Sequence, residues 1–151
     1  MRQAARERLT ALPDAAITAE SPLYETEPWG DTEQPFFLNQ VIALRLGPSW
    51  SPRRLLVALQ TIETALGRVR GARRFGPRTL DLDILIFGRE RICEPDLVVP
   101  HPLLRDRAFV LVPLADIAPD LILEGEEGET VRQALAKIPF KLSGNILTIG
   151  Q

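Results

Sequence analysis

The hydrophobic period of this chain switches repeatedly between 3.6 and 2, and proline or glycine marks most of the switches. That switching narrows the fold more than any single motif does. Residues 2–12 set Ala5, Leu9 and Leu12 at helical spacing and stop at Pro13. Residues 15–24 read as a strand whose far end Pro22 moves toward a sheet edge. Residues 25–35 are polar, broken by Pro28, Gly30 and Pro35, and form a loop longer than a simple hairpin needs. Residues 36–46 return as a strand. Ser51 before Pro52 is a helix start, an N-cap with proline at the first helical position. The helix it opens turns Leu55, Leu56, Leu59, Ile62 and Leu66 inward, carries Arg53, Gln60 and Glu63 on its other face, and stops at Gly67. Further on, residues 80–87 read as a strand, 88–95 as a turn region and 97–99 as a short strand. Residues 108–117 read as a helix or irregular core segment around Pro113, 129–138 as an amphipathic helix and 145–149 as a terminal strand. This order predicts an α+β fold, a mainly antiparallel sheet with helices packed on one face.

A length of 151 residues suits one domain, residues 1–151. With 45% hydrophobic and 25% charged residues, the composition excludes a disordered tail, a collagen-like chain and a coiled-coil rod. A net charge of −2 argues against a nucleic-acid clamp. No apolar stretch approaches the roughly 20 residues of a membrane span, and the first residues lack the apolar core of a secretory signal. The lone Cys93 cannot form an internal disulfide, so the expected compartment is the reducing cytoplasm.

The bases are 16 arginines and only 2 lysines, and five of the arginines (Arg68, Arg70, Arg73, Arg74, Arg78) crowd a loop with no acid between Glu63 and Asp81. A solvated basic loop is the plain reading of such a run. Gly71, Gly76 and Pro77 also permit a loop whose backbone closes on a ligand. The loop runs directly into Leu80-Asp81-Leu82-Asp83. In a strand, residues two apart share a face with Cα atoms roughly 6.6 Å apart, so Asp81 and Asp83 point together. In isolation that pattern also fits alternate solvent-facing positions. Beside an arginine loop it favours a metal–nucleotide site, because Mg²⁺ accepts one or two carboxylates together with water and phosphate oxygens. His101, the single histidine, sits between Pro100 and Pro102. One histidine and one thiol do not make a zinc site. Neither a Walker A sequence nor a G-x-G-x-x-G turn is present.

Phe75-Gly76-Pro77-Arg78-Thr79-Leu80-Asp81-Leu82-Asp83-Ile84 resembles the signature of the 6-hydroxymethyl-7,8-dihydropterin pyrophosphokinase (HPPK) family. Three other segments agree: Leu23-Tyr24-Glu25-Thr26-Glu27-Pro28-Trp29-Gly30, Gln34-Pro35-Phe36-Phe37-Leu38-Asn39, and Pro100-His101-Pro102-Leu103 through Arg107-Ala108-Phe109 to Pro113-Leu114. The resemblance implies a ferredoxin-like fold and a monomer that binds neither nucleic acid nor membrane. It also implies transfer of pyrophosphate from ATP to a hydroxymethyl dihydropterin, with release of AMP, in folate biosynthesis. Asp81 and Asp83 would hold two Mg²⁺ ions. Arg68, Arg78, His101 and Arg107 would join them in catalysis, and Gln60, Glu63, Arg70, Arg74 and Ile84 would line the ATP site. Thr26, Trp29, Phe37, Asn39, Phe75 and Phe109 would bind the pterin, Asn39 at its edge and the phenylalanines against its ring.

The chain departs from the family in three places. The family's first strand, with its Gly-Ser-Asn-like loop, does not precede the first helix, and that strand lies inside the family's sheet. The apolar segment 145–149, which ends at Gly150, is expected to take the vacant slot, with residues 141–144 as connector. Asp96 stands where many relatives carry a base facing ATP, and Gly71 replaces a frequent basic loop residue. Two other readings remain open: a non-catalytic pterin- or nucleotide-binding relative, and a ferredoxin-like RNA-binding module using the arginine loop and sheet aromatics.

Overall fold

The computed structural model describes residues 2–26, 37–67, 80–123 and 128–149, with the side chains of Phe37 and Ile149 excepted. Four helices and eight strands appear among them, α1 (Arg2–Thr10), β1 (Ala15–Glu20), β2 (Tyr24–Thr26), β3 (Phe37–Asn39), β4 (Ile42–Leu46) and α2 (Pro52–Ala65), followed by β5 (Ile92–Glu94), β6 (Leu97–Val99), α3 (Ala108–Ile117), α4 (Val131–Leu135), β7 (Phe140–Ser143) and β8 (Ile146–Ile149). The α+β class is as expected. In place of one main sheet, the described strands form three: β1-β4, β3-β2-β8-β7 and β5-β6. Pairing is antiparallel in β2/β3, β5/β6 and β7/β8, and parallel in β2/β8.

The separation of the first two sheets begins at Pro22. Proline supplies no N–H to a ladder, and the strand expected over 15–24 breaks there into β1 and β2. Its neighbour, expected over 36–46, breaks into β3 and β4 at the same level. Ser21 fastens the break: its N–H donates to the Val41 carbonyl at 2.9 Å, its hydroxyl accepts from the Val41 N–H at 3.0 Å, and its carbonyl accepts from the Gln40 amide at 2.7 Å.

The chain divides into two compact units, residues 1–17 with 44–101 and residues 18–43 with 102–151. In the first, α1 and strand β6 pack on α2. Helix α2 starts as expected, the Ser51 hydroxyl accepting from the Arg54 N–H at 3.1 Å, and it buries Pro52, Leu55, Leu59 and Ile62. Ala5, Leu9, Ile84, Leu97 and Val99 are also buried in this unit. Gly47 is required by close approach: its N–H donates to the Asp14 carbonyl at 2.9 Å, and a Cβ there would stand 1.5 Å from the Asp14 carboxylate.

Two expectations in this unit need correction. Residues 80–87 join no ladder among the described strands, although the His101 N–H donates to the Leu85 carbonyl at 2.8 Å. Alternation of apolar and polar residues sets which side chains are buried, whereas a ladder also needs a neighbouring backbone in register. Within the expected turn region 88–95, Ile92–Glu94 forms β5, because Leu97–Val99 folds back on it with Ile92 opposite Val99.

In the second unit, α3 covers β2, β3 and β8 and packs against α4. Tyr24, Ala108, Val112 and Leu147 form its core, flanked by Phe109, Leu135, Ile138 and Phe140. Pro113 lies inside α3, which is helical from Ala108 to Ile117. Helix α4 is shorter than the expected 129–138 and opens on a capping box, Thr130 with Gln133. The buried Glu129 holds Arg105 at 3.0 Å and Lys137 at 2.5 Å, and the hydrogen bond from Lys137, then that from Arg105, draws its carboxyl below the usual range.

The terminal strand was expected inside a sheet, and it is there. β8 lies between β2 and β7, with Thr26 opposite Leu147 on one side and Leu142 opposite Leu147 on the other. Leu147 is fully buried, a placement that contributes about 1.5–3 kcal/mol. Residues 141–144 are not a simple connector. Residues 141–143 are the body of β7, and the turn to β8 is made at Gly144, with φ +62°.

Candidate functional site

Seven of the eleven expected nucleotide residues are described, and all but Arg107 lie in the first unit. Along residues 80–84 exposure alternates as the sequence predicts: Asp81 and Asp83 are exposed, Leu80 and Leu82 are half-buried, and Ile84 is buried. One contact fixes the backbone between the two aspartates. The Glu63 carboxylate on α2 accepts from the Leu82 N–H at 2.6 Å. Helix α2 can place Glu63 there because Leu59 and Ile62 anchor its inward face. A charge-assisted bond of this kind is worth more than a neutral one, and it holds the peptide that joins Asp81 to Asp83. Gln60, one turn earlier, is exposed, and His101 is half-buried.

A two-carboxylate set is also what the chemistry of the donors can offer a metal. Among the described residues, no group of three or more His, Cys, Asp or Glu side chains stands ready to hold an ion. A hard Mg²⁺ ion needs no such cage, since water and substrate phosphates complete its octahedron. Asp81 and Asp83 fit that ion, and they do not fit a structural zinc site.

Asp96 is engaged by its own unit. The Arg53 guanidinium donates to it at 2.7 Å and also pairs closely with Glu94. The Arg53 hydrogen bond holds the Asp96 carboxyl below its ordinary range. These partners are far apart in sequence, and no local pattern announces them.

The described pterin-side residues Thr26, Asn39 and Phe109 lie in the second unit, together with Arg107. Tyr24 faces Asn39 across the β2/β3 pair, and Thr26 faces Phe37. Asn39 and Thr26 are therefore diagonal neighbours on one sheet face, and the Asn39 amide donates to the Thr26 hydroxyl at 2.8 Å. Phe109 packs against the Tyr24–Leu147 core, and the Arg107 guanidinium stands 5.4 Å from its ring centroid. That distance is within cation–π range. Tyr24, which the sequence reading quoted without giving it a role, is buried and donates its hydroxyl to Asp116 on α3. Burial, then that hydrogen bond, push its phenol up to about 12.

Arg68, Arg70, Arg74, Phe75 and Arg78 of the arginine loop, and Trp29, lie outside the described residues, as does the side chain of Phe37.

The described residues thus define an α+β chain with an exposed carboxylate pair on one unit and a hydrogen-bonded carboxamide on the other. It matches the 7,8-dihydro-6-hydroxymethylpterin-pyrophosphokinase (HPPK) family over residues 1–119. A 2-amino-4-hydroxy-6-hydroxymethyldihydropteridine pyrophosphokinase of Methylorubrum extorquens is 49% identical over 132 residues, 87% of this chain and 80% of that protein. One from Pseudomonas aeruginosa is 49% identical over 139 residues, 92% of this chain and 83% of that protein. A folate synthesis bifunctional protein of Arabidopsis thaliana is 45% identical over 102 residues, 68% of this chain but 21% of that protein. The chain belongs to the HPPK family.

Proposed function

We propose that this chain transfers pyrophosphate from ATP to the hydroxymethyl group of 6-hydroxymethyl-7,8-dihydropterin, in folate biosynthesis. The observation that carries the reading is the exposed Asp81–Asp83 pair, with its linking peptide held by Glu63, in a chain of this family. The hydroxymethyl oxygen gives its proton to water and bonds to the β-phosphorus. The bond from that phosphorus to the oxygen shared with the α-phosphate breaks, and AMP leaves with the electron pair.

Asp81 and Asp83 would hold Mg²⁺, two ions by the family pattern. When bound, the metal neutralises triphosphate charge and orients the reacting oxygens. His101 and Arg107, with Arg68 and Arg78, donate to phosphate oxygens, and Gln60, Glu63, Arg70, Arg74 and Ile84 line the nucleotide. Asn39 meets the polar edge of the pterin, Phe37, Phe75 and Phe109 sandwich its ring, and Thr26 and Trp29 line the same pocket. Catalysis by such groups is positioning and electrostatic stabilisation. We read the chain as a single ferredoxin-like domain with β8 in the place of the family's first strand, acting as a cytoplasmic monomer without nucleic acid.

The test is AMP release from MgATP with and without the dihydropterin. Pterin-dependent AMP, formed in step with pyrophosphorylated pterin and lost in Asp81→Ala and Asp83→Ala, is the expected result. Equal AMP without the pterin, or AMP that survives both substitutions, overturns the reading.

A further inference from the structure

Three polar residues are buried among the described ones: Ser21, Thr26 and Glu129. Two have structural duties already described. Ser21 ties the break in the strands to Val41 and Gln40, and Glu129 gathers Arg105 and Lys137. Thr26 differs, because its hydroxyl meets a side chain to which the reaction gives work. It is 4% exposed and accepts from the Asn39 amide at 2.8 Å.

We infer that the Thr26 hydroxyl is a positioning group that sets the orientation of the Asn39 carboxamide for the pterin edge. The inference rests on the proposed role of Asn39. A terminal amide turns in a broad, nearly two-fold torsional well, so a half-buried asparagine on a short edge strand has several orientations open to it. Thr26 has few. It is β-branched and stiff at χ1, it is buried, and its strand β2 is paired on both sides, by β3 and β8. An amide offers two N–H donors and two carbonyl lone pairs. With one N–H spent on Thr26, the other N–H and the carbonyl remain as a planar donor–acceptor pair. A cyclic lactam, an N–H beside a C=O, is the chemical group that complements such a pair, and the aminopyrimidinone ring of a pterin carries one. The orientation of Asn39 is therefore settled before substrate binds, and binding does not bear the cost of ordering it.

The experiment compares Thr26→Val, which removes the hydroxyl at nearly constant shape, with Thr26→Ser, which keeps it. Both are made in the wild-type and Asn39→Ala backgrounds, and the readouts are steady-state rates with MgATP and dihydropterin and the thermal midpoint. Thr26→Val is expected to raise the pterin KM about five- to tenfold, the worth of one hydrogen bond, with kcat and the ATP KM within twofold. Thr26→Ser should restore the pterin KM, and in the Asn39→Ala background Thr26→Val should have no further effect on it. If the valine chain does not fold, Thr26→Cys, which keeps the volume with a weak acceptor, takes its place. An unchanged pterin KM in Thr26→Val, a serine variant as impaired as the valine, or additive effects with Asn39→Ala each overturn the inference. If Asn39→Ala itself leaves the pterin KM unchanged, the proposed role of Asn39 fails, and this inference fails with it.

Discussion

The two units present their candidate functional residues by opposite physical means. In the first, Asp81 and Asp83 are exposed on a segment that joins no described ladder, and a side-chain-to-backbone bond from Glu63 supports it. In the second, Thr26 is buried in a strand paired on both sides, and Asn39 is reached by a bond between side chains. The difference follows the chemistry each surface is proposed to meet. Ionised carboxylates are expensive to bury, so a surface meant for a hydrated cation and phosphates keeps them in water and steers the backbone. A neutral amide that reads a flat ring gains from a dry, fixed neighbour, since a hydrogen bond shielded from water is stronger.

The sharpest way to break the contrast is to remove one aspartate. Asp81→Ala and Asp83→Ala should each cost at least about 10²–10³-fold in kcat, the scale of losing one main electrostatic stabiliser. The thermal midpoint should move little, because both side chains are exposed. A large fall in the midpoint would make the pair structural and erase the difference between the units. The opposite variant is Leu147→Ala in the second unit. It should cost roughly 2–5 kcal/mol of stability by denaturant titration, because Leu147 is fully buried in a strand paired on both sides. A cost below about 1 kcal/mol would mean that β8 does not occupy the sheet in solution.

Glu63→Ala sharpens the comparison within the first unit. Loss of the bond to the Leu82 N–H should weaken ATP use by roughly tenfold in KM, the value of about 1–2 kcal/mol, and leave the pterin KM unchanged. Equal effects on both substrates would mean that Glu63 supports more than the aspartate segment. The smallest expected effect is that of Tyr24→Phe, about 1 kcal/mol at neutral pH, and it carries a pH signature. The folded chain holds the Tyr24 proton more tightly than an unfolded chain, because the phenol is pushed up to about 12. Its contribution is therefore complete below about pH 10 and drains away as pH rises toward 12. Wild-type and Tyr24→Phe stabilities should converge over that window in alkaline denaturation. A constant gap across it would show that the hydroxyl contributes without titrating.

Much of this was readable locally. The Ser51-Pro52 start, the buried stripe of α2 and the exposure of Asp81 and Asp83 follow from short-range pattern, as does the strand character of residues 146–149. The motifs that carried the family resemblance also lie in short, contiguous segments. The break at Pro22 was half legible: proline weakens a strand, but only the matching break at Val41 turns the weakness into two sheets. Strand β5 was missed because Ile92-Cys93-Glu94 has no strand pattern of its own and depends on β6. The bonds Glu63 to Leu82, Thr26 to Asn39 and Arg53 to Asp96 span 19, 13 and 43 residues, beyond the reach of any periodicity.

The sequence alone determined the α+β class, the start of α2 and which face of that helix is apolar, since torsional preference, capping and side-chain periodicity act over a few residues. The tertiary structure decided which strands are neighbours. It seated β8 between β2 and β7, left residues 80–87 outside every described ladder, and chose which polar side chains brace the candidate residues. A hydrogen bond across a fold requires two distant backbones or side chains to arrive together, and that choice is made by the packing of the whole unit.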